Sequence, residues 1–265
     1  MKENKSKESF SLSFAEGYLK NDSDEILSKD FKSEINALYE DFISDSETIS
    51  VFSSGSTGEP KELKLKKEYM LNSAHMTCSY LNIPEGASTL LCMPLKFIGA
   101  KMVVVRAMAR KLKLVAVNPS SHPLLGLTKA PYFAAMTPAQ VFSSLESEAE
   151  RNILFNIREL IIGGGAVNSS LKAELMQSKN RIWSTYGMTE TISHIALKRV
   201  NADSACGYVP FEGVSLHKAE DDTLVIDAPY IGVESLKTND IVEFNPDNSF
   251  TVIGRADNII NSGGI

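Results

Sequence analysis

Short apolar runs alternate with helix-like segments through the middle of the chain, and this alternation limits the possible folds more than any other feature. Runs of this length are typical of buried strands, and helices between them are typical of strands that lie parallel in one sheet. The alternation predicts an α/β fold with a parallel or mixed sheet. The predicted strands are Thr89–Met93, Leu112–Val117, Tyr132–Met136, Arg158–Ile162 and Arg181–Thr185, and the predicted helices are Lys101–Arg110, Pro138–Leu145 and Ser169–Gln177.

The segment before this region predicts a helix, a strand and a second helix. From Asp24 to Ile43 apolar side chains recur every three or four residues, which is the period of an amphipathic helix. Asp22 or Ser23 is the expected N-cap of this helix. The β-branched and aromatic run Thr48–Phe52 predicts a strand, and a second helix is expected over Lys67–Leu81.

The pattern changes after about Lys198, where short strand candidates are separated by turn residues rather than by helices. An antiparallel β module is therefore expected, with a boundary near residue 200. The chain divides into an N-terminal helical segment (1–47), an α/β region (48–200) and a β module (201–265). The predicted strands of the module are Val214–His217, Thr223–Ile226, Asp240–Phe244 and Ser249–Ile253.

Composition and charge exclude several classes of protein. Of the 265 residues, 43% are hydrophobic and 23% are charged, which is close to the average of globular proteins and excludes a disordered tail or a low-complexity fibre. A pI near 5.4 argues against nucleic-acid binding. The most apolar stretch, Ile98–Ala109, is too short to span a membrane and is interrupted by Lys101 and Arg106.

The cysteines favour a reducing, cytoplasmic location. Cys78, Cys92 and Cys206 lie far apart and form no CxxC or Cys/His pattern, so neither a disulfide framework nor a zinc site is expected. Residues 1–14 carry several charges and no apolar segment, so they do not predict a signal peptide.

A dense cluster of glycines and hydroxyl side chains follows the strand Thr48–Phe52. Glycines let a backbone approach an anion closely, successive N–H groups can form an anion nest, and hydroxyls and a lysine add donors and charge. The cluster predicts a phosphate-binding loop, although it does not match the Walker A pattern, and a flexible surface turn is the alternative. Its candidate residues are Ser53, Ser54, Gly55, Ser56, Thr57, Gly58 and Lys61.

Two more motifs stand at the ends of predicted strands. In Tyr186-Gly187-Met188-Thr189-Glu190 the aromatic ring can stack on a purine, the threonine can bond a phosphate oxygen, and the glutamate can bind a hard cation. Gly163-Gly164-Gly165-Ala166 stands where open α/β sheets bind ligands. Each of these motifs, taken alone, is equally compatible with an ordinary turn.

The fourth motif belongs to the β module. Asp240, expected to open a strand, can accept hydrogen bonds from both hydroxyls of a ribose, and Arg255 in Gly254-Arg255-Ala256-Asp257 can serve the ribose or a phosphate. A charged residue in a β-turn is more often simply solvated. The order of the four motifs along the chain is therefore more informative than any one of them.

In this order the motifs resemble those of the adenylate-forming enzymes, a superfamily of acyl-CoA synthetases, luciferases and nonribosomal peptide adenylation domains. SSGSTGEPK is similar to their phosphate loop, STYGMTET to their adenine and magnesium motif, LKTNDIVEF to their ribose-binding segment, and GRADNIINSGG to their hinge. The resemblance runs from about Thr48 to Ile265. It implies the large N-terminal domain of such an enzyme, with stacked mixed and parallel sheets, helices and a distorted antiparallel β module.

The resemblance implies a nucleotide site and a role for each matching residue. Ser53 to Lys61 would surround the β- and γ-phosphates of ATP, while Gly163 to Ala166 and Tyr186 with Gly187 would line the adenine slot. Thr189 would contact the α-phosphate and Glu190 would hold Mg²⁺, which makes these two the expected catalytic residues. Asp240, assisted by Arg255, would bind the ribose, and Asp257 would be the pivot of the hinge.

The resemblance also implies the chemistry. A carboxylate attacks the α-phosphate of ATP to give acyl-AMP and pyrophosphate, and coenzyme A then displaces AMP; Mg²⁺ and a lysine neutralise the developing charge. In the family that lysine belongs to a small domain after the hinge, and these 265 residues offer no candidate for it. The chain is accordingly expected to bind nucleotide and to catalyse poorly.

Three segments are similar to the short o-succinylbenzoate–CoA ligases of menaquinone synthesis: Met93–Met102, Met136–Gln140 and Ser193–Ala196. That acid is a dicarboxylate, so a cation is expected in its pocket, and Lys96 is the candidate to pair the spare carboxylate. His194 and Thr137 are candidates to line the pocket, with Gln140 a weaker one.

Two alternatives stay open at this stage. One is another acyl or aryl ligase of the same superfamily, for a medium-chain fatty acid or a benzoate, and the other is a non-catalytic nucleotide-binding relative. A homodimer is the expected assembly, without nucleic acid or membrane insertion.

Overall fold

The computed structural model describes residues 27–52, 62–202 and 207–258. Within these ranges the α-helices are α1 (Lys29–Ile43), α2 (Lys67–Tyr80), α3 (Ile98–Ala109), α4 (Pro138–Glu146), α5 (Glu148–Asn156) and α6 (Ser169–Leu175). The strands are β1 (Thr48–Phe52), β2 (Glu62–Lys66), β3 (Ser88–Leu91), β4 (Lys113–Ala116), β5 (Phe133–Met136), β6 (Glu159–Ile162), β7 (Arg181–Gly187), β8 (His194–Arg199), β9 (Val209–Pro210), β10 (Ser215–Lys218), β11 (Thr223–Ala228), β12 (Val233–Phe244) and β13 (Phe250–Arg255).

A seven-stranded mixed sheet forms the centre of the molecule. Its strand order is β4-β3-β5-β6-β7-β8-β9; β3 to β7 are parallel to one another, β8 pairs antiparallel with β7, and β9 pairs antiparallel with β8. The connections change direction between β3 and β5, which is where open α/β sheets form a crevice for ligands. Together with a separate antiparallel sheet, this arrangement confirms the predicted fold class.

Both faces of the large sheet are covered by helices. Side chains alternate between the two faces of a strand, so Phe133 and Ala135 of β5 pack with α1, α2 and α3, whereas Ala134 and Met136 pack with α4 and α6. Because both faces are buried, the parallel strands are continuous apolar runs rather than alternating ones. None of the helices in the described ranges is long and apolar enough to cross a membrane.

A four-stranded antiparallel sheet, β10-β11-β12-β13, packs against α2 through the turn that precedes β12. Asn72 of α2 donates a hydrogen bond from Nδ2 to the carbonyl of Tyr230 at 2.7 Å. The ring of Tyr69 lies against Gly232, where a Cβ atom would come within 2.2 Å of Tyr69 Cε2 and where φ is +71°. This position therefore requires glycine, and it holds the small sheet against the body of the large one.

The first helix begins later than predicted. Ser28 is the N-cap, with its hydroxyl accepting a hydrogen bond from the Phe31 N–H, and the helix runs from Lys29 with Phe31, Ile35, Leu38 and Phe42 buried. The predicted start at Asp24 with an N-cap at Asp22 or Ser23 is therefore wrong. The apolar period continued back to Leu27, which is buried but precedes the helix, and a period of buried residues does not show where a helix begins.

Four described strands and helices were not predicted, and one strand was placed incorrectly. Strand β2 alternates leucine with charged residues, α5 is largely polar, β8 directly follows the Tyr186 motif, and β9 has only two residues. Asp240 does not open a strand but lies inside β12, next to a register shift between Ile241 and Val242. The predicted division at residue 200 stays a prediction.

Candidate active site

The loops that follow β5, β6 and β7 lie side by side at one edge of the large sheet. These three strands are parallel neighbours, and Thr137, Gly163 and Gly187 stand at or just after their carboxyl ends. Parallel strands direct the loops at their carboxyl ends to the same edge, so the predicted adenine and acid residues are brought together there. The predicted phosphate loop, Ser53 to Lys61, lies outside the described residues.

The triple-glycine loop packs tightly between β7 and the start of α4. A Cβ atom on Gly163 would lie 2.6 Å from Thr185 Oγ1, and one on Gly165 would lie 3.4 Å from Pro138 Cγ. Gly164 has a φ of +76°, a conformation that favours glycine. Gly164, Gly165 and Ala166 are exposed, so this backbone segment presents an open surface beside Tyr186.

Tyr186 joins the large sheet to the antiparallel sheet. Its hydroxyl donates a 2.6 Å hydrogen bond to Asp240 Oδ2, and its ring packs edge-on against Phe250 at 5.1 Å. Burial, followed by the neighbouring Asp240 carboxylate, raises the pKa of the Tyr186 phenol, which therefore stays protonated and remains a donor. The other oxygen of the half-buried Asp240 has no hydrogen-bond partner among the described residues and remains available to accept.

Arg255 stands directly across from Asp240 in the register of β12 and β13. It forms a bidentate pair with Asp257, through Nε to Oδ1 at 3.0 Å and Nη2 to Oδ2 at 3.1 Å. This pair raises the pKa of Arg255 and lowers the pKa of Asp257. The predicted ribose and hinge residues are therefore in contact, and both are partly exposed.

A short turn links the end of β7 to β8. Within it Thr189 is half-buried and Glu190 is exposed, and the Thr191 hydroxyl accepts a hydrogen bond from Met188 N–H at 2.9 Å. Ile192 is buried with a φ of +66°, an unusual conformation for a β-branched residue. At the base of the turn a Cβ atom on Gly187 would come within 2.3 Å of the Ser193 carbonyl oxygen.

The Glu190 carboxylate fits the role of a magnesium ligand. It is exposed and forms no hydrogen bond or ion pair with the described residues. Mg²⁺ is usually held by one or two carboxylates together with substrate phosphates and water, so one accessible carboxylate is a suitable protein donor. Among the described residues no three potential metal ligands cluster together.

A chain of buried polar groups lies beneath this turn. His194 contacts Thr77 Oγ1 through Nε2 at 3.0 Å and Ser193 Oγ through Nδ1 at 3.2 Å, and Arg106 Nη2 donates to the same Ser193 Oγ at 2.8 Å. Arg106 is 1% exposed, its Nε has no hydrogen-bond partner, and no described carboxylate pairs with it. Burial lowers the pKa of Arg106 to about 10, which still leaves the guanidinium charged at neutral pH.

Sequence reasoning missed Arg106 as a site residue. The signal was present, because Arg106 is one of two cations that interrupt the most apolar stretch of the chain. An arginine in a buried helix needs a partner, since an unpaired buried charge is costly. That requirement identifies Arg106 as a candidate ligand-binding residue once its surroundings are known.

The other predicted acid-site residues have different surroundings. Lys96 is exposed on the turn before α3, with its Nζ 5.1 Å from the centre of the Phe97 ring. Thr137 is half-buried, and its hydroxyl is the N-cap of α4. Gln140 is nearly buried and donates to the carbonyls of Cys92 and Ser120, which ties the segments after β3 and β4 together. The structure unites His194 with Arg106 and Ser193, not with Lys96.

Comparisons with known proteins agree with this arrangement. The sequence matches the AMP-binding enzyme family over residues 13–229. It is 26% identical, over 238 residues and 84% of this chain, to the probable 2-succinylbenzoate–CoA ligase of Mycobacterium tuberculosis. The chain spans 61% of the length of that relative.

Solved structures show the same fold. An acyl-CoA synthetase (AMP-forming)/AMP-acid ligase II-like protein from Dyadobacter fermentans is 32% identical, with a TM-score of 0.80 over 91% of this chain and 69% of that one. The O-succinylbenzoate coenzyme A synthetase of Bacillus subtilis, solved with ATP and a magnesium ion, has a TM-score of 0.68 at 20% identity, over 82% of this chain and 51% of that one. With the family match extending over most of its length, the chain belongs to the AMP-binding enzyme family.

Proposed function

We propose that this chain is the nucleotide- and acid-binding part of an ATP-dependent acid–CoA ligase. In the reaction, an oxygen of the acid attacks the α-phosphorus of ATP, the bond to pyrophosphate breaks, and the thiol of coenzyme A then displaces AMP from the acyl carbon. The family assignment and the names of the relatives support this class of reaction. Coenzyme A as the second substrate follows from the resemblance, a cytoplasmic location follows from the cysteine pattern, and a homodimer is a further part of the proposal.

The geometry supports a nucleotide site at the junction of the two sheets. Asp240 has one oxygen already paired with Tyr186, which leaves the other to accept from a ribose hydroxyl. The exposed backbone of Gly163 to Ala166 lies beside Tyr186 and suits the adenine ring, with Gly187 at the same edge. In this proposal Thr189 contacts the α-phosphate and Glu190 holds Mg²⁺, which when bound would neutralise charge on the phosphates.

The observation that carries the substrate assignment is the buried Arg106 guanidinium, which has no carboxylate partner among the described residues. A buried cation without a carboxylate partner costs folding free energy, and a ligand that brings a carboxylate recovers that cost on binding. An acid with a second carboxylate, such as o-succinylbenzoate, supplies this partner while its other carboxylate is activated. We therefore assign the spare carboxylate to Arg106 in place of Lys96, with His194 and Thr137 as neighbouring pocket residues.

Thermal unfolding with inert acyl-AMP analogues tests the proposal. The analogues carry o-succinylbenzoyl, benzoyl or medium-chain acyl groups, and a ligand at 100 times its Kd stabilises the folded state by about 2.7 kcal/mol. We expect the o-succinylbenzoyl analogue to raise the melting temperature most at equal concentration. Equal shifts would remove the dicarboxylate assignment, and no shift from any analogue would contradict the adenylate site.

Two matched variants separate the candidate cations. Arg106→Met should abolish the preference for the o-succinylbenzoyl analogue, whereas Lys96→Met should retain it. If only Lys96→Met lost the preference for the o-succinylbenzoyl analogue, Lys96 rather than Arg106 would be the partner of the spare carboxylate.

A further inference from the structure

The direction of the hydrogen bonds around His194 depends on which ring nitrogen carries the proton. The Thr77 hydroxyl lies 3.2 Å from the Ser73 carbonyl and 3.0 Å from His194 Nε2, and when it donates its one proton to the carbonyl it accepts from His194. In that arrangement His194 Nε2 carries a proton and donates to Thr77. In a neutral imidazole the other nitrogen, Nδ1, is then an acceptor.

The same order of donors and acceptors extends from His194 Nδ1 through Ser193 to Arg106. The Ser193 hydroxyl, 3.2 Å from Nδ1, donates to it, and the same oxygen accepts the 2.8 Å hydrogen bond from Arg106 Nη2. With the opposite tautomer, Nδ1–H and Arg106 would both donate to Ser193, and the Ser193 proton would have to turn elsewhere. We infer the tautomer with the proton on Nε2, because it gives both hydroxyl protons an acceptor among the described residues, and it orders five groups from the guanidinium to the Ser73 carbonyl.

The surroundings keep the imidazole neutral. His194 and Thr77 are buried, and the ring packs edge-on against Phe211 at 5.5 Å. Burial, followed by the positive charge of Arg106, holds the pKa of His194 well below its ordinary value. Arg106 of α3, Arg110 and the buried Cys78 thiol of α2 interact electrostatically in this region, and none of the three is a carboxylate that would favour protonation of His194.

We propose that His194 is a positioning residue, whose Nδ1 aims the Ser193 hydroxyl and thereby holds the Arg106 guanidinium in the orientation that receives the second carboxylate of the acid. This inference rests on the proposed function. Thr77 contributes to this positioning, because its hydrogen bond with His194 Nε2 favours the tautomer that carries the proton on Nε2. A histidine that only filled space would show no dependence on which of its two nitrogens is replaced.

Two substitutions test the roles of Nδ1 and Nε2 of His194 separately. In His194→Asn the amide oxygen lies about where Nδ1 was and can still accept from Ser193, while the contact with Thr77 is lost. In His194→Gln the amide nitrogen reaches the Nε2 position and can donate to Thr77, but Ser193 loses its acceptor. His75→Gln, on an exposed position of α2, is the control.

The readout is selectivity, measured by calorimetry on the full chain as the ratio of Kd for the benzoyl and o-succinylbenzoyl adenylate analogues. We expect His194→Gln to reduce this ratio about tenfold, in line with one hydrogen bond to a charged network, while His194→Asn and His75→Gln stay close to the unsubstituted chain. Equal ratios for Asn and Gln would overturn the positioning role. Absence of a preference in the unsubstituted chain would instead refute the dicarboxylate assignment, and with it this inference.

A second measurement requires neither a ligand nor a folded His194 variant. Nitrogen-15 NMR of the histidine rings reports which nitrogen carries the proton, and single substitutions of the other three histidines, His75, His122 and His217, assign the signals. We expect His194 to be neutral with its proton on Nε2 at pH 7. A proton on Nδ1, or on both nitrogens, would overturn the proposal.

Discussion

The Tyr186 hydroxyl lies 2.6 Å from Asp240 Oδ2, and this hydrogen bond joins the end of β7 to the middle of β12 across 54 residues of sequence. It connects the two sheets at the place where the nucleotide is proposed to bind. It also leaves the other oxygen of Asp240 without a hydrogen-bond partner among the described residues. The same contact thus holds the two sheets together and orients the carboxylate that is proposed to bind the ribose.

Replacing Tyr186 with phenylalanine tests this relationship. The change removes the donor to Asp240 and keeps the ring packing, so we expect a loss of about 1 kcal/mol in the free energy of unfolding and weaker ATP binding. Urea unfolding and calorimetry measure the two effects. Tyr132→Phe is the control, because its hydroxyl makes only a 3.4 Å contact with the Asn82 carbonyl. Unchanged ATP affinity in Tyr186→Phe would argue against a ribose role for the oriented Asp240.

Alanine at Gly187 should be far more damaging than alanine at Gly254. A Cβ at Gly187 would lie 2.3 Å from the Ser193 carbonyl oxygen and 2.5 Å from His194 Cα, both of which are backbone atoms that cannot rotate away. A Cβ at Gly254 would meet nothing within 4 Å. We expect Gly187→Ala to destabilise the fold by about 2 kcal/mol or more, within the range of overpacked sites, and to weaken adenylate binding. Similar melting temperatures for the two variants would show that the turn can shift without cost.

Removing the charge of Arg106 should stabilise the fold while impairing ligand selectivity. The guanidinium is buried without a carboxylate partner in the described part of the chain, and an apolar side chain of similar volume avoids that cost. We expect Arg106→Met to gain on the order of 1 kcal/mol in urea unfolding, as is common when a functional polar group is removed. Arg110→Met, which loses the 3.0 Å hydrogen bond from Nε to the Ile83 carbonyl, should gain nothing. A destabilised Arg106→Met would mean that the cation has a structural partner after all.

Stability should fall in mild acid because of His194. The pKa of His194 is well below 6.5 in the folded state, through burial and then Arg106, so the unfolded chain binds a proton that the folded chain does not. The unfolded state is therefore favoured as the pH drops below about 6.5, by up to about 1.4 kcal/mol per pH unit. Melting curves from pH 7.5 down to 5.5 should show this slope in the unsubstituted chain and in His75→Gln, and a smaller slope in His194→Asn. Identical slopes in all three would assign the acid sensitivity to other groups.

The residue at which the first helix begins can be tested by substitution and urea unfolding. Ser28 Oγ accepts from Phe31 N–H at 3.2 Å, and removing an N-cap hydroxyl costs about 1 kcal/mol. Ser28→Ala should lower the urea midpoint accordingly, while Ser50→Ala, on an exposed position of β1, should have a smaller effect. An unchanged midpoint in Ser28→Ala would contradict a cap at this residue.

Local patterns were sufficient for most of the architecture. The strand Thr48–Phe52 was predicted with its observed bounds, and the alternation of strands and helices was confirmed with differences of a few residues at the ends. They failed where the pattern was weak or ambiguous. The polar helix α5 and the short strand β8 gave little periodic signal, and Asp240 looked like the start of a strand because the residues before it in β12 are mostly polar.

The acid site shows the limit of sequence reasoning more clearly. Lys101 and Arg106 both interrupt the apolar stretch Ile98–Ala109, and α3 is buried on nearly every side between Met102 and Met108. A helix that is apolar all round has no periodic face, so its period cannot show which cation is enclosed. Burial and the contact with Ser193, 87 residues away, distinguish Arg106.

The amino-acid sequence by itself determined the α/β class, the separate antiparallel strands and the resemblance to adenylate-forming enzymes, because hydrophobic period and short ordered motifs are local properties. The tertiary structure decided that Tyr186 bonds Asp240, that Gly187 supports Ser193, and that Arg106 shares a buried hydrogen-bond chain with His194. Contacts of this kind depend on sheet register and on how helices pack against the sheet. Those are set by the whole core at once, and no local spacing encodes them.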